Sequence, residues 1–284
     1  MSTTATAAML ATGAAVALNG SYLLQHAGAR HLAAVDVRRP LATLGTLLRA
    51  PLWTLGAGVG LAGWALHVGA MRDAPLSLVQ AFVAGGLALT VPMAAVALHR
   101  RLEPSELRAL ALMVAGLLGL SIGLGGHPAG ERFSAPALGA WTALLGAAAA
   151  ALAVGVHGRR RAVALGLAGG LLYGAADLAL KAVAGSTGVA DAAVSPWTWV
   201  ALPATAGAFF CFQRGLQGDR PLAVIALMTA ATNASSIAGA LLVFGDPLGR
   251  TGGLAALHAA ALGLVVVAAC RLAPAGARMA KVQA

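Results

Sequence analysis

The chain has 284 residues, of which 59% are hydrophobic and only 10% are charged, and its mean hydropathy is +0.83. A soluble globular domain carries roughly 25% charged residues, so this composition excludes that class. The formal net charge of +10 does not indicate a nucleic-acid partner, because the basic residues stand in short segments between apolar runs, where they set membrane orientation. The sequence therefore predicts an integral membrane protein in contact with lipid.

The apolar residues fall in runs of about 20, the length that a helix needs to cross a hydrocarbon core of about 30 Å. Only the loops at 28–49 and 185–196 have any length, so no soluble domain is expected between spans. Trp53, Trp197 and Trp199 stand near span ends, as interface anchors do. We predict about nine transmembrane helices, at Thr6–Ala27, Ala50–Met71, Leu76–Leu98, Leu107–Leu124, Pro136–Val156, Ala162–Ala184, Trp197–Gly215, Pro221–Phe244 and Gly252–Leu272.

The basic residues are distributed unequally between the two ends of these spans. Arg72, Arg132 and Arg250 fall on one predicted side, Lys181 lies within a span, and the rest of the 19 basic residues fall on the opposite side. Loops rich in Lys and Arg stay in the cytoplasm. We therefore expect a multi-pass protein of the cell (inner or plasma) membrane, with its N-terminus outside and its C-terminus in the cytoplasm.

An internal repeat relates the two halves of the chain. At one constant offset, Gly69, Asp73, Pro75 and Leu76 recur as Gly215, Asp219, Pro221 and Leu222. Four spans, a fifth span and four more spans place the second copy upside down, as in many secondary transporters. We predict an all-α membrane fold with two inverted four-helix repeats. The predicted parts are helices one to four at 1–125, a linking helix and basic loop at 126–161, helices six to nine at 162–273, and a cytoplasmic tail at 274–284.

Several short segments carry a family resemblance. Ala74-Pro75-Leu76-Ser77-Leu78-Val79-Gln80 opens the third span, Leu98-His99-Arg100-Arg101-Leu102 closes it, and Phe244-Gly245-Asp246-Pro247-Leu248 follows the eighth. These segments resemble the drug/metabolite transporter (DMT, EamA-like) superfamily. Tyr22-Leu23-Leu24-Gln25, followed by Gly28, is similar to its NIPA-type magnesium transporter branch. The resemblance implies nine spans, an outside N-terminus and transport of Mg²⁺. In one departure, His99-Arg100-Arg101 replaces the usual acidic residue of the first turn.

Two charged residues, Asp177 and Lys181, lie within the sixth span. A charge at the bilayer centre costs about 3 kcal/mol and needs a partner or a water-filled cavity. At 100° per residue both fall in a stripe of roughly 80° that also holds Gly166, Gly170 and Gly174, small residues that allow close helix contact. We predict that Asp177 binds an ion or proton; a structural i,i+4 pair with Lys181 is the alternative. Lys181 equally suits a snorkelling position near the interface.

The eighth span supplies a second polar face. Thr229, Thr232, Asn233 and Ser236 fall within an arc of roughly 100°, and Asn233 is the strongest candidate for a substrate contact. Such groups also serve as ordinary hydrogen-bonding glue between membrane helices, so both interpretations stay open.

Further candidates come from the repeat and from depth in the membrane. Ser236 corresponds to Thr90 on the third span at the repeat offset of 146 residues, and Lys181 corresponds to Gln25 on the first span at a different offset of 156 residues. Gln80, His67 and His258 should lie in the outer third of the membrane, on the side of Asp177, where they would line a vestibule.

These features favour a secondary transporter that moves a small solute or ion by alternating access. Mg²⁺ is the solute that the resemblance implies, yet one carboxylate with a lysine a turn away is a poor site for this cation. An exporter of an organic metabolite or drug-like solute is the alternative, and a non-transporting membrane scaffold is the second alternative. No nucleotide-binding, metalloprotease or serine-hydrolase motif occurs, so we expect no enzyme activity, catalytic residue or cofactor. Metal ligands stay unassigned, and a homodimer stays open.

Overall fold

The computed structural model describes residues 3–36, 38–86, 103–121, 133–184, 186, 188–218, 221–246 and 251–280. Within these residues all regular structure is helical, so the prediction of an all-α chain is confirmed. A 3₁₀ turn at Gly158–Arg160 leads directly into the seventh helix. The α-helices are α1 (Thr3–Ala29), α2 (Pro40–Leu48), α3 (Pro51–Asp73), α4 (Leu76–Gly85), α5 (Pro104–Ser121), α6 (Ala135–Gly155), α7 (Arg161–Ala184), α8 (Val189–Val194), α9 (Pro196–Leu216), α10 (Pro221–Val243) and α11 (Gly252–Ala280).

Proline marks the start of many of these helices. Helices α2, α3, α5, α9 and α10 each begin at a proline, whose fixed φ suits the first turn and whose missing N–H would have no helical partner there. Helix α6 has Pro136 in its first turn, and the hydroxyl of Ser134 accepts a hydrogen bond from the N–H of Ala137 at 3.4 Å, which caps the helix. The starting points are thus set by local sequence.

Four helices of the described residues are long and apolar enough to cross a membrane, and this is compatible with a membrane protein. They cover Thr6–Ala29, Pro51–Asp73, Ala135–Gly155 and Arg161–Ala184. Shorter apolar helical stretches lie at Leu107–Gly116, Leu227–Val243 and Gly252–Leu264. The predicted number of nine spans and the inverted repeat stay predictions.

The helices differ from the predicted spans at three places. The two long loops each contain a short helix, α2 and α8, and α11 continues to Ala280, into the segment predicted as a cytoplasmic tail. Helix α4 is described only as far as Gly85. The rest of the predicted third span, with the candidate residue Thr90, lies outside the described residues.

Helix α7 lies at the centre of the helix packing. Of its most apolar stretch 67% is buried, against 17% for α6, and it contacts α6, α9 and α10. Helix α1 packs along α3, and α5 packs along α11. Helix α4 touches both α1 and α10, so it joins the first half of the chain to the second.

The glycines of α7 face α10 at close range. An added Cβ on Gly166 would lie 3.0 Å from the carbonyl oxygen of Val224. A Cβ on Gly170 would collide with the carbonyl of Met228 and lie 2.7 Å from the Cβ of Ala231, and one on Gly174 would collide with the hydroxyl of Ser235. Small residues at this face let the two helix backbones approach, as in membrane helix pairs.

Gly170→Ala should therefore destabilise the protein. The added methyl group overpacks the contact between α7 and α10, which costs about 1–3 kcal/mol, so we expect a lower midpoint of thermal unfolding in detergent micelles. Gly146→Ala is the matched control, because a Cβ at Gly146 meets no atom within 4 Å and alanine favours helix formation. Equal midpoints for the two variants would contradict this packing.

Candidate functional site

A buried carboxylate stands where α3, α4, α7 and α10 meet. Asp177 on α7 is only 8% exposed. Its Oδ2 accepts a hydrogen bond from Nε2 of Gln80 at 2.6 Å and from the hydroxyl of Ser236 at 3.3 Å. Nε2 of His67 lies 3.4 Å from Oδ1. We call these four residues, His67, Gln80, Asp177 and Ser236, the Asp177 cluster.

The Asp177 cluster draws its members from both halves of the chain. His67 and Gln80 belong to α3 and α4, whereas Asp177 and Ser236 belong to α7 and α10. Burying a carboxylate is costly unless donors surround it, and hydrogen bonds to an ionised group are about twice as strong as neutral ones. Of the vestibule residues expected from depth, His67 and Gln80 lie against Asp177, and His258 is buried on α11.

Lys181 is directed away from Asp177, although the two residues are one helical turn apart. Its Nζ donates to the carbonyl oxygens of Met71 at 2.7 Å and Ala74 at 2.9 Å. These carbonyls lie at the C-terminal end of α3, where main-chain acceptors lack helical partners and a positive charge is favoured. Within 4.0 Å of the Asp177 carboxylate, the described residues place the imidazole of His67 and not the ammonium group of Lys181. The alternative of an i,i+4 pair is thus not the observed geometry.

Asp246 is a second buried carboxylate and is not among the predicted site residues. It follows α10 and is 5% exposed, and its Oδ2 accepts a hydrogen bond from the N–H of Ser77 at 2.9 Å. Ser77 is in the first turn of α4, where a carboxylate satisfies free N–H groups and the helix dipole. Burial raises the pKa of Asp246, while hydrogen bonds from Ser77 and the charge of Lys181 oppose this rise.

The polar face of α10 is divided between packing bonds and free atoms. The hydroxyl of Thr232 donates to the carbonyls of Met228 at 2.9 Å and Gly170 at 3.1 Å, so it ties α10 to α7. Nδ2 of Asn233 donates to the carbonyl of Thr229 at 2.7 Å within its own helix. Thr232 therefore forms a packing hydrogen bond between helices, which is one of the two interpretations of this face. The side-chain oxygens of Thr229 and Asn233 have no hydrogen-bond partner among the described residues.

Six buried side chains in the described part of the chain have a polar atom with no hydrogen-bond partner. The atoms are Oδ1 of Asn19, Nδ1 of His67, Oε1 of Gln80, Oγ1 of Thr229, Oδ1 of Asn233 and Oδ1 of Asp246. In all three amides the NH₂ group already donates to an oxygen. Turning an amide over would set oxygen against oxygen, so the free atom is the acceptor in each case.

Two tyrosines border the Asp177 cluster. Tyr22 on α1 and Tyr173 on α7 are partly buried and pack on one apolar group of α9 and α10, and the ring of Tyr22 meets Phe212 edge-on at 5.0 Å. Tyr173 lies one helical turn from Asp177 along α7.

Gln25 belongs to a separate hydrogen-bonded chain. Its Oε1 accepts a hydrogen bond from Nε2 of Gln213, whose Oε1 in turn accepts one from Nε1 of Trp53 at 3.1 Å. Trp53 is 3% exposed, so its prediction as an interface anchor is wrong. Gln213 supplies the partner that draws the indole inward, and no sequence motif marks that partner.

Comparison with known proteins gives no relative: no family model, curated protein or solved structure matches the chain. Across the described ranges, no group of three or more His, Cys, Asp or Glu side chains could hold a metal ion. Function is therefore inferred from the contacts around Asp177.

Gln213→Leu should destabilise the fold. The change leaves the indole N–H of Trp53 and the amide oxygen of Gln25 buried without their partner, and each such group costs about 1–3 kcal/mol. We expect a lower free energy of unfolding in detergent. The control is Thr142→Val, which removes a buried hydroxyl that bonds only to the carbonyls of Leu138 and Gly139 in its own helix. A loss no larger than that of the control would show that the chain of three residues does not form.

Proposed function

We propose that the chain is a multi-pass secondary transporter, similar to the drug/metabolite transporter superfamily, that moves a small solute or ion across the cell membrane by alternating access. The supporting observation is the buried carboxylate of Asp177, which is shared by residues from both halves of the chain. An ionisable group inside a membrane protein is expensive to keep and usually serves the transported ion or solute. The proposed orientation has the N-terminus outside and the C-terminus in the cytoplasm.

The packing of equivalent helices supports an inverted-repeat mechanism. In the predicted repeat α10 is the equivalent of α4, and α11 is the equivalent of α5. Helix α4 packs against α10, and α5 packs against α11, as expected for helices that flank a pseudo-two-fold axis. In transporters of this architecture the solute binds at the interface of the repeats, and one repeat rocks against the other. The Asp177 cluster lies at the contact of α4 with α7 and α10.

In this proposal Asp177 holds the coupling cation or the positive charge of the solute. Lys181 does not neutralise it, because the ammonium group of Lys181 is taken by carbonyls at the end of α3. The ionised carboxylate of Asp177 supplies the negative charge of the Asp177 cluster. Its hydrogen-bond donors must be displaced, or must share the carboxylate, when a cation enters. Such competition links occupancy of the site to the arrangement of α3, α4 and α10.

The free atoms around Asp177 favour a positively charged solute with hydrogen-bond donors. Hydrated Mg²⁺, the solute that the resemblance implies, would donate through its waters to the amide oxygens of Gln80 and Asn233 and to the carboxylate. An organic ammonium ion would use the same oxygens. Tyr173, one turn from Asp177 on α7, would in addition offer an aromatic ring, whose face attracts cations. This ring favours the organic cation as the second candidate.

Asp177→Asn should abolish transport. The purified protein in proteoliposomes is screened for flux of Mg²⁺ and of small organic cations, with and without a pH gradient. Because the amide keeps the size of the side chain but carries no charge, flux of the accepted cation should fall to the level of protein-free liposomes. Asp177→Glu should retain part of the flux, since it keeps the charge at a shifted position.

Asp36→Asn is the control, because Asp36 is an exposed loop residue, and its flux should equal that of the unaltered protein. Full flux in Asp177→Asn would remove Asp177 from the mechanism. If no cation moves through the unaltered protein under any gradient, the scaffold alternative is favoured.

A further inference from the structure

Two buried charges of the second half meet one turn of the first half. Lys181 donates to the last carbonyls of α3, Met71 and Ala74, and Asp246 accepts from the N–H of Ser77 at the start of α4. The carboxylate of Asp246 thus binds the N-terminal end of α4, where the helix dipole is positive. The ammonium group of Lys181 binds the C-terminal end of α3, where the helix dipole is negative. We call this set of five residues the outer latch, because the predicted topology places it at the outer end.

The outer latch lies directly next to the Asp177 cluster. Lys181 is about 6 Å along α7 from Asp177, at 1.5 Å per residue, and Ser77 is one turn from Gln80 on α4. Lys181 and Asp246 are 7% and 5% exposed. A buried charge is tolerated only while its partners stay in place, so the latch is either formed or broken. It does not yield gradually.

A second set of contacts closes the opposite end. Nδ1 of His26, near the end of α1, lies 3.1 Å from the carbonyl oxygen of Leu216 in the last turn of α9. Next to it, Oε1 of Gln217 accepts from the N–H of Val35 at 2.7 Å, and its Nε2 donates to the carbonyl of Ala33 at 3.0 Å. These five residues form the inner latch, at the end predicted to face the cytoplasm.

The two latches correspond in the predicted repeat. At the offset that relates Gly69 to Gly215, the end of α3 corresponds to the end of α9, and α7 is the equivalent of α1. In each latch, a basic or imidazole side chain from the first helix of one repeat reaches the last carbonyls of the second helix of the other repeat. The sequence correspondence between Lys181 and Gln25, the neighbour of His26, holds at a different offset, 156 residues instead of 146.

We propose that the outer latch and the inner latch are the two gates of the transporter, that both are closed in this structure, and that they open one at a time. Breaking the outer latch frees the turn between α3 and α4 from α7 and exposes the Asp177 cluster to the outside. Breaking the inner latch frees the end of α9 from α1 and exposes the same cluster to the cytoplasm. This proposal rests on the proposed function, and it names the residues that control access.

Thiol accessibility tests the gates without any solute. Cys211→Ala and Cys270→Ala provide a background without native thiols. Thr229→Cys places a buried reporter on the polar face of α10, two turns from Ser236. A membrane-impermeant thiol reagent is added to right-side-out spheroplasts or to inverted vesicles. Lys181→Met should raise the labelling rate from the outside, and His26→Leu should raise it from the inside. Each labelling rate should rise about tenfold, the change expected when a hydrogen bond that holds a gate closed is lost.

Conservative variants and a packing control separate gating from a loss of structure. Lys181→Arg and His26→Gln keep a donor and should keep labelling low, and Thr142→Val should leave it unchanged on both sides. Asp246→Asn weakens the outer latch by a second route and should raise labelling from the outside, which covers the case in which Lys181→Met does not fold. Unchanged labelling, or an increase from both sides, would overturn the gates. A failed flux screen with side-specific labelling would instead overturn only the choice of solutes.

Discussion

The requirement that a buried carboxylate be surrounded by donors constrains the rest of this structure. Asp177 lies on the most enclosed helix, α7, and its own helix offers it no donor. Its partners therefore come from α3, α4 and α10, and these helices must keep a fixed rotation and depth relative to α7. The glycines of α7 permit this by letting α10 approach until its hydroxyls reach the carboxylate and the carbonyl of Gly170. The hydrogen bonds of the buried polar groups therefore depend on the close packing of the α7 and α10 backbones.

The same constraint links the site to access. Lys181 and Asp177 lie one turn apart on α7. Lys181 binds main-chain carbonyls at the end of α3, whereas Asp177 binds the side chains of His67 on α3 and Gln80 on α4. A movement of the turn between α3 and α4 therefore changes both the environment of the carboxylate and the outer latch. In the proposed mechanism, a cation that replaces Gln80 or His67 at Asp177 would weaken the hold of α7 on this turn. Binding and opening would be coupled in this way, as alternating access requires.

The sequence predicts the all-helical class correctly, because apolar runs are local signals. It also predicts that Asp177, Gln80 and His67 share one depth, since depth depends only on counting residues from a span end. The partners of Lys181, Asp246 and Gln25 could not be predicted. Nearly every residue has a main-chain carbonyl and N–H group, so the sequence does not mark which of them will bind a side chain. Ser77 is in addition 169 residues from Asp246. Helix rotation also decides such contacts, and an error of one residue turns a side chain by 100°.

The most direct measurement is the distance between His67 and Asp177 in a lipid bilayer, by solid-state NMR on protein with ¹⁵N-labelled histidine and ¹³C-labelled aspartate. We expect a dipolar contact between Nε2 of His67 and the carboxyl carbon of Asp177, consistent with the 3.4 Å separation of Nε2 and Oδ1, and its loss in Asp177→Asn. A folded, helical protein in lipid that lacks this contact would show that His67 of the first half does not share the carboxylate with the second half.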